Sequence, residues 1–263
     1  MKHLKIQLFV LFLSFYCFYS TNMAFAQESR FSFNKYVSDK GDTLNYRLLS
    51  PDYSKIRKYP LIIFLHGSGE RGKDNEAQLK WGVTNFATDQ ALVMHPAFVV
   101  APQCPEKQSW SNFSRNEKPG EMRLQNSPSK PMELVIQLIQ KLTKELPVDT
   151  NRIYITGLSM GGFGTFDAIE RYPDLFAAAV PVCGGGDISK AGAIVNIPIW
   201  ILHGSEDTVV KPEYSLGMAT ALTAAGGHPG LTLYPETGHF SWLAAYNDSL
   251  MIEWLFRQHK QAK

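Results

Sequence analysis

Arg152-Ile153-Tyr154-Ile155-Thr156-Gly157-Leu158-Ser159-Met160-Gly161-Gly162 is the stretch on which the reading of this chain turns. The apolar run Ile153 to Thr156 predicts a strand, and a helix is expected from the residues after Ser159 to Tyr172-Pro173. A strand that passes directly into a helix needs a sharp reversal, and glycines on both sides of one serine allow it. Such a turn holds the serine hydroxyl clear of the chain at the carboxyl edge of a sheet. Gly-x-Ser-x-Gly alone is a weak pattern. Its position between strand and helix gives it weight.

Working outward, apolar runs alternate with helical patterns from about Phe31 to the C-terminus, which predicts an α/β fold. Phe31 to Val37 and Leu44 to Leu49 flank Lys40-Gly41-Asp42 and read as an antiparallel hairpin. Leu61 to Leu65, Phe98 to Ala101, Ile153 to Thr156 and Ala177 to Val182 are continuous apolar runs, as in strands buried on both faces. Ile199 to Leu202 and Leu231 to Tyr234 complete a mostly parallel eight-stranded sheet with helices on both faces. Helices are expected from Pro131 to Leu146, from Glu213 to Ala225, and at the C-terminus along Leu243, Tyr246, Leu250 and Trp254. Between Cys183 and Ile199 there is only a short Gly-rich stretch, with no room for a cap domain. The long irregular segment is Gln103 to Lys130, expected to wall one side of a site.

The N-terminus reads as an export leader. Lys2 and Lys5 precede the apolar run Ile6 to Tyr19, and Ala24-Phe25-Ala26 offers a small-x-small cleavage site, so residues 1–26 are a signal peptide and 27–263 one catalytic domain. The expected location is periplasmic or extracellular. The apolar run is short for a membrane span and no second one follows, so no stable membrane insertion is expected. Phe15 and Tyr16 are too bulky for a lipid-attachment box at Cys17. Loss of Lys2 and Lys5 lowers Lys plus Arg from 26 to 24, against 24 acids, so the remainder is neutral. That balance gives no sign of a nucleic-acid partner. No C-x-x-C or H-E-x-x-H spacing suggests a metal, and Cys104 and Cys183 are expected to remain unpaired.

A serine hydroxyl becomes nucleophilic when a base takes its proton, and the base needs a carboxylate to fix its tautomer. His239, in Gly238-His239-Phe240 after the last strand, is the candidate base. Its rival His228 precedes that strand, at the wrong end of the sheet. Asp207, in His203-Gly204-Ser205-Glu206-Asp207, is the candidate acid, with Asp187 and Glu206 as competitors. An oxyanion needs two backbone donors. Met160 N–H is one candidate; Ser68 N–H, in His66-Gly67-Ser68-Gly69, is the other, with Gly67 as the alternative. His66 and His203 read as structural histidines. Trp110 and Trp242 are candidate substrate contacts, weighed against simple packing, and Glu70-Arg71 either touches substrate or pairs to hold its loop.

His66-Gly67-Ser68-Gly69-Glu70-Arg71-Gly72, Gly157 to Gly162, His203 to Asp207 and Gly238-His239 together resemble the lid-less serine esterases of the α/β-hydrolase superfamily. The likeness is greatest to feruloyl- and acetyl-xylan-esterase-type carbohydrate esterases, whose relatives include phospholipase and carboxylesterase proteins, and it runs from Tyr59 onward. The resemblance implies Ser-His-Asp acyl transfer without cofactor or metal, on a small-molecule or polysaccharide-linked ester. A general short-chain carboxylesterase, a serine peptidase and a binding protein on this scaffold are the alternatives. Fold alone does not choose among them.

Overall fold

The computed structural model describes residues 26–114 and 120–260. The expected leader, apart from Ala26, lies outside the described residues. Eight strands form one sheet: β1 (Phe31–Val37), β2 (Thr43–Leu49), β3 (Tyr59–Leu65), β4 (Phe98–Pro102), β5 (Val148–Leu158), β6 (Ala178–Val182), β7 (Trp200–Gly204) and β8 (Gly230–Tyr234). Their spatial order is β1-β2-β4-β3-β5-β6-β7-β8. The pairs β1–β2 and β2–β4 are antiparallel and all others are parallel. This is the α/β-hydrolase fold.

Burial follows position in the sheet. Every residue of β3, β4 and β6 is buried, whereas edge strand β1 buries only Phe31 and every residue of edge strand β8 is partly or fully exposed. Successive strand side chains point to opposite faces, so β3 divides its apolar residues between two cores. Leu61, Ile63 and Leu65 join Leu138, Ile139, Phe166 and Ile169. Ile62 and Phe64 join Val83, Phe86, Tyr246, Met251 and Leu255 on the other face.

The helices are α1 (Asp89–Met94), α2 (Lys130–Glu145), α3 (Met160–Arg171), α4 (Ala191–Ile194), α5 (Glu213–Ala224), α6 (Trp242–Ala245) and α7 (Ser249–Arg257). Ser129 starts α2 by accepting from the Met132 N–H at 3.2 Å, with Pro131 in the first turn, where its missing N–H costs nothing. The expected C-terminal helix is instead two. The first ends at Ala245 with Tyr246 as its cap, and Asp248 caps the second, accepting from Leu250 N–H at 2.9 Å; Tyr246 is buried while Leu243 and Leu250 are exposed. Helix α1 and several 3-10 turns between β3 and β4 lack a long periodic stripe and escape sequence patterning. Among the described residues, no helix is long and apolar enough to cross a membrane.

Asn112 and Leu124, between β4 and α2, are held by buried acids. Asp167 accepts from Asn112 N–H at 2.8 Å and pairs with Arg171 Nε at 2.8 Å; Asp187 accepts from Leu124 N–H at 2.9 Å. Glu170 Oε1 accepts from Asp187 N–H at 2.9 Å, but its buried Oε2 has no partner among the described residues. Burial, then the charges of Asp187 and Asp167, raise the Glu170 carboxyl well above its usual 4.5. A carboxyl raised on folding contributes stability that is full below its unfolded pKa and lost as pH climbs through its folded one. Urea unfolding should therefore show Glu170→Gln gaining on the wild type as pH rises from about 4 to about 8, with the difference smallest at the acid end. Parallel pH curves for the two proteins would show that Glu170 keeps an ordinary pKa.

Candidate active site

Ser159 sits between β5 and α3 with φ 52° and ψ −115°, a region that a non-glycine residue adopts only under constraint. The constraint is contact. A Cβ on Gly161 would lie 1.9 Å from the Leu65 carbonyl oxygen, and one on Gly157 would lie 2.6 Å from both the Gly161 and Leu65 oxygens. Only glycine lets the turn approach β3 this closely. Ser159 N–H donates to Val182 O at 3.0 Å and Phe163 N–H to Ser159 O at 3.1 Å, which fixes the turn from both sides.

The loops after β7 and β8 bring the other candidate side chains to the same edge. His239 Nε2 lies 3.0 Å from Ser159 Oγ, and His239 Nδ1 lies 2.6 Å from Asp207 Oδ2. Asp207 is 3% exposed, and its Oδ1 accepts from the N–H groups of Val209 and Val210, both at 2.9 Å. With Oδ2 accepting from Nδ1–H, the imidazole presents an unprotonated Nε2 to the serine hydroxyl, as a general base must. Asp187 is spent on the Leu124 and Ser189 N–H groups, so it does not share this position.

Ser68 opens a 3-10 turn and Met160 opens α3, so neither N–H has a partner within its own element. Neither donates to another backbone carbonyl among the described residues. The two turns touch: a Cβ on Gly161 would lie 2.9 Å from His66 O. Two free N–H groups beside a serine hydroxyl suit an oxyanion.

His66 and His203 are braces. His66 Nδ1–H donates to Gly67 O at 2.6 Å and Nε2 accepts from Cys104 N–H at 2.9 Å; burial lowers its pKa to about 4, so the ring stays neutral. His203 is fully buried between Ser215 Oγ (2.6 Å) and Val210 O (2.8 Å), and 3.3 Å from Asp207 Oδ2, holding the acid's loop. Burial lowers its pKa as well. Cys183 Sγ is within 4.8 Å of the Asp207 carboxylate and the His239 ring. Burial pushes that thiol up to about 12, so it is neutral where it touches the pair. Cys104 and Cys183 are both free thiols.

Two expectations for the aromatic residues and the loop after β3 need correction. Trp110 does not wall the site: it is 0% exposed, its Nε1–H donates to His66 O at 3.0 Å, and it packs where Gly164 leaves space. Glu70 and Arg71 do not pair with each other. Arg71 donates to Gln108 O at 2.6 Å, while the buried Glu70 faces the Trp81 indole N–H. Trp242 does meet the site, with its ring 5.1 Å from the His239 ring at 86°. Beside it are two rings that sequence reasoning passes over. Phe240 is 4.7 Å from Trp242 and 56% exposed, and Trp81 is 5.9 Å from Phe240. The position of Phe240 directly after His239 was the available signal.

Residues 53–249 match the family model for phospholipase/carboxylesterase proteins, and the chain belongs to that family. A solved thermostable esterase superposes with a TM-score of 0.82 at 43% identity, covering 89% of this chain and 64% of the esterase. The bifunctional acetylxylan esterase/xylanase XynS20E of Neocallimastix patriciarum is 25% identical over 178 residues, 68% of this chain and 23% of that protein. Poly(3-hydroxyalkanoate) depolymerase C of Paucimonas lemoignei is 30% identical over 188 residues, 58% of this chain and 42% of that protein. The chain thus spans less than half the length of these two relatives.

The hydrogen-bond chain makes a direct prediction. Asp207→Asn leaves the Val209 and Val210 contacts possible but favours the wrong His239 tautomer, so labelling of Ser159 by a fluorophosphonate should slow about a thousandfold or more. Labelling at the wild-type rate would mean that the Asp207–His239 bond does not set the reactivity of Ser159.

Proposed function

We propose that this chain is an exported serine hydrolase of carboxylic esters, acting on acyl groups of plant polysaccharides of the feruloyl or acetyl type. The observation that carries the ester-hydrolase reading is the unbroken chain from Asp207 through His239 to Ser159 Oγ, beside two unpaired N–H groups. Ser159 attacks the ester carbonyl while His239 takes its proton, and Asp207 stabilises the imidazolium. The Ser68 and Met160 N–H groups hold the oxyanion. His239 returns the proton to the leaving alcohol, and water then repeats the sequence to release the acid.

The polymer substrate is supported by three things: the residues 1–26 that read as an export leader, the short β6-to-β7 connection without a cap, and the likeness to an acetylxylan esterase. The second reading is a general short-chain carboxylesterase, favoured by the family's description and by the 43% identical esterase.

Wild type and Ser159→Ala are compared on p-nitrophenyl acetate, p-nitrophenyl octanoate, methyl ferulate and acetylated xylan. Wild type should hydrolyse esters, with Ser159→Ala lower by about a thousandfold or more. Release of acetate from xylan or turnover of methyl ferulate supports the polysaccharide reading; activity confined to the p-nitrophenyl esters favours the general esterase. Equal rates for the two proteins would rule out Ser159 as the nucleophile.

A further inference from the structure

In acyl transfer the histidine that deprotonates the serine later protonates the leaving oxygen. The space beside His239 Nε2 therefore belongs to the alcohol half of the ester, on the reading that this chain is a serine ester hydrolase. One side of the His239 ring is lined by aromatic rings. Trp242 stands edge-on to the His239 ring at 5.1 Å and is itself buried. Phe240 leans on Trp242 at 4.7 Å and 45°, and more than half of it is open to solvent. Trp81 meets Phe240 edge-on at 5.9 Å and Trp242 at 6.4 Å, closing the group.

The cluster is fixed from behind. Trp81 faces the buried Glu70 carboxyl and is flanked by the Lys80 ammonium, 5.0 Å from its ring centre. Trp242 fills the second core together with Ala245 and Tyr246. Phe240 is thus an exposed ring on a rigid aromatic base, immediately next in sequence to the proton donor. A large apolar side chain exposed at a reaction centre points to a binding surface. Its flat face suits a ring, whose C–H groups it can cover, more than a short flexible alcohol.

We infer that Phe240 and Trp81 form an alcohol subsite selective for esters whose leaving alcohol carries a six-membered ring, a sugar pyranose or a carbocycle of similar size. Phe163 and Tyr214, whose rings meet edge-on at 5.6 Å, form a separate aromatic pair reached through α3 and the start of α5.

The test keeps the acyl group constant and varies the alcohol. kcat/KM is measured for ethyl acetate, cyclohexyl acetate and an acetylated methyl xyloside, on wild type, Phe240→Ala, Phe240→Tyr and Trp81→Ala. Intrinsic leaving-group and steric differences among the alcohols are the same for every variant, so the change in the ratio of ring ester to ethyl ester between wild type and variant reports the subsite. The expected result is a ratio above one in wild type that falls about tenfold in Phe240→Ala, falls in Trp81→Ala, and returns in Phe240→Tyr. An unchanged ratio in Phe240→Ala overturns the subsite. So does a change that follows the acyl chain instead, seen by comparing ethyl acetate with ethyl butanoate. The broader reading fails separately: a Phe240-dependent preference for cyclohexyl acetate with no turnover of the xyloside keeps the ring subsite and removes the polysaccharide substrate. A wild type inert on every ester removes both.

Discussion

The carboxyl edge of the sheet is organised by a backbone contact that admits no side chain. The first turn of α3 lies so close to the end of β3 that the Leu65 carbonyl oxygen occupies the space of a Gly161 Cβ, while a Cβ on Gly162 would lie 2.3 Å from Val182 O. Helix and strands can approach to this distance only where the sequence supplies glycine, and the approach forces Ser159 into positive φ. Strain of this kind costs on the order of 1–3 kcal/mol and persists only where surrounding structure over-determines it. Here the Ser159 N–H and carbonyl are both held by neighbouring backbone. The same contact brings the first turn of α3 against the His66 carbonyl, so the loop after β3 and the start of α3 are packed together before any ligand arrives.

Around that contact neutral rings and fixed amides surround one buried carboxylate, Asp207. His66 and His203 are both buried and both held below the ordinary histidine pKa, so each works as a strut with one donor and one acceptor. Asp207 is the buried carboxylate shared by the His203 and His239 loops, and the two backbone N–H groups it accepts balance its desolvation. His239 is therefore the site's one histidine with a free ring nitrogen facing the serine. Three histidines on the same edge divide into two braces and one candidate base according to which hydrogen bonds each already has.

What could be read from the sequence depended on whether a signal was local. The Ser159 turn, the order Ser159–Asp207–His239, and the buried strands are written in short runs whose pattern follows from backbone geometry, and the structure places them together at one edge. Strand limits were less legible: β5 begins at Val148, before its apolar run, because Tyr59 pairs there across a register shift. The direction of aromatic rings was not legible at all. Trp110 and Phe240 have equivalent apolar character, yet one is enclosed and the other open. Gly164 was the missed clue for Trp110, since glycine in a helix interior is unfavourable and marks a close neighbour. A Cβ at that position would lie 2.4 Å from the Trp110 Cβ. The C-terminal stripe misled for a similar reason, because Asp248 reads as a surface acid until its capping bond is seen.

Openness at this edge and a dry environment for proton transfer are reconciled locally. The His239 side chain is 14% exposed and Asp207 is buried, with the Trp242 ring against the imidazole and the protonated Cys183 thiol near both groups. Water is kept from the imidazole–carboxylate bond by these neighbours, where low polarity strengthens the interaction. Ser159 and Ser68 meanwhile face outward, and the connection from β6 to β7 folds into short helical turns instead of covering them. Apolar contact from one side is enough to shelter the charge that matters, so a catalytic edge of this kind needs no moving cover to assemble it. Phe240, next in sequence to His239 and packed on Trp242, is the ring that the fold leaves exposed on that flank.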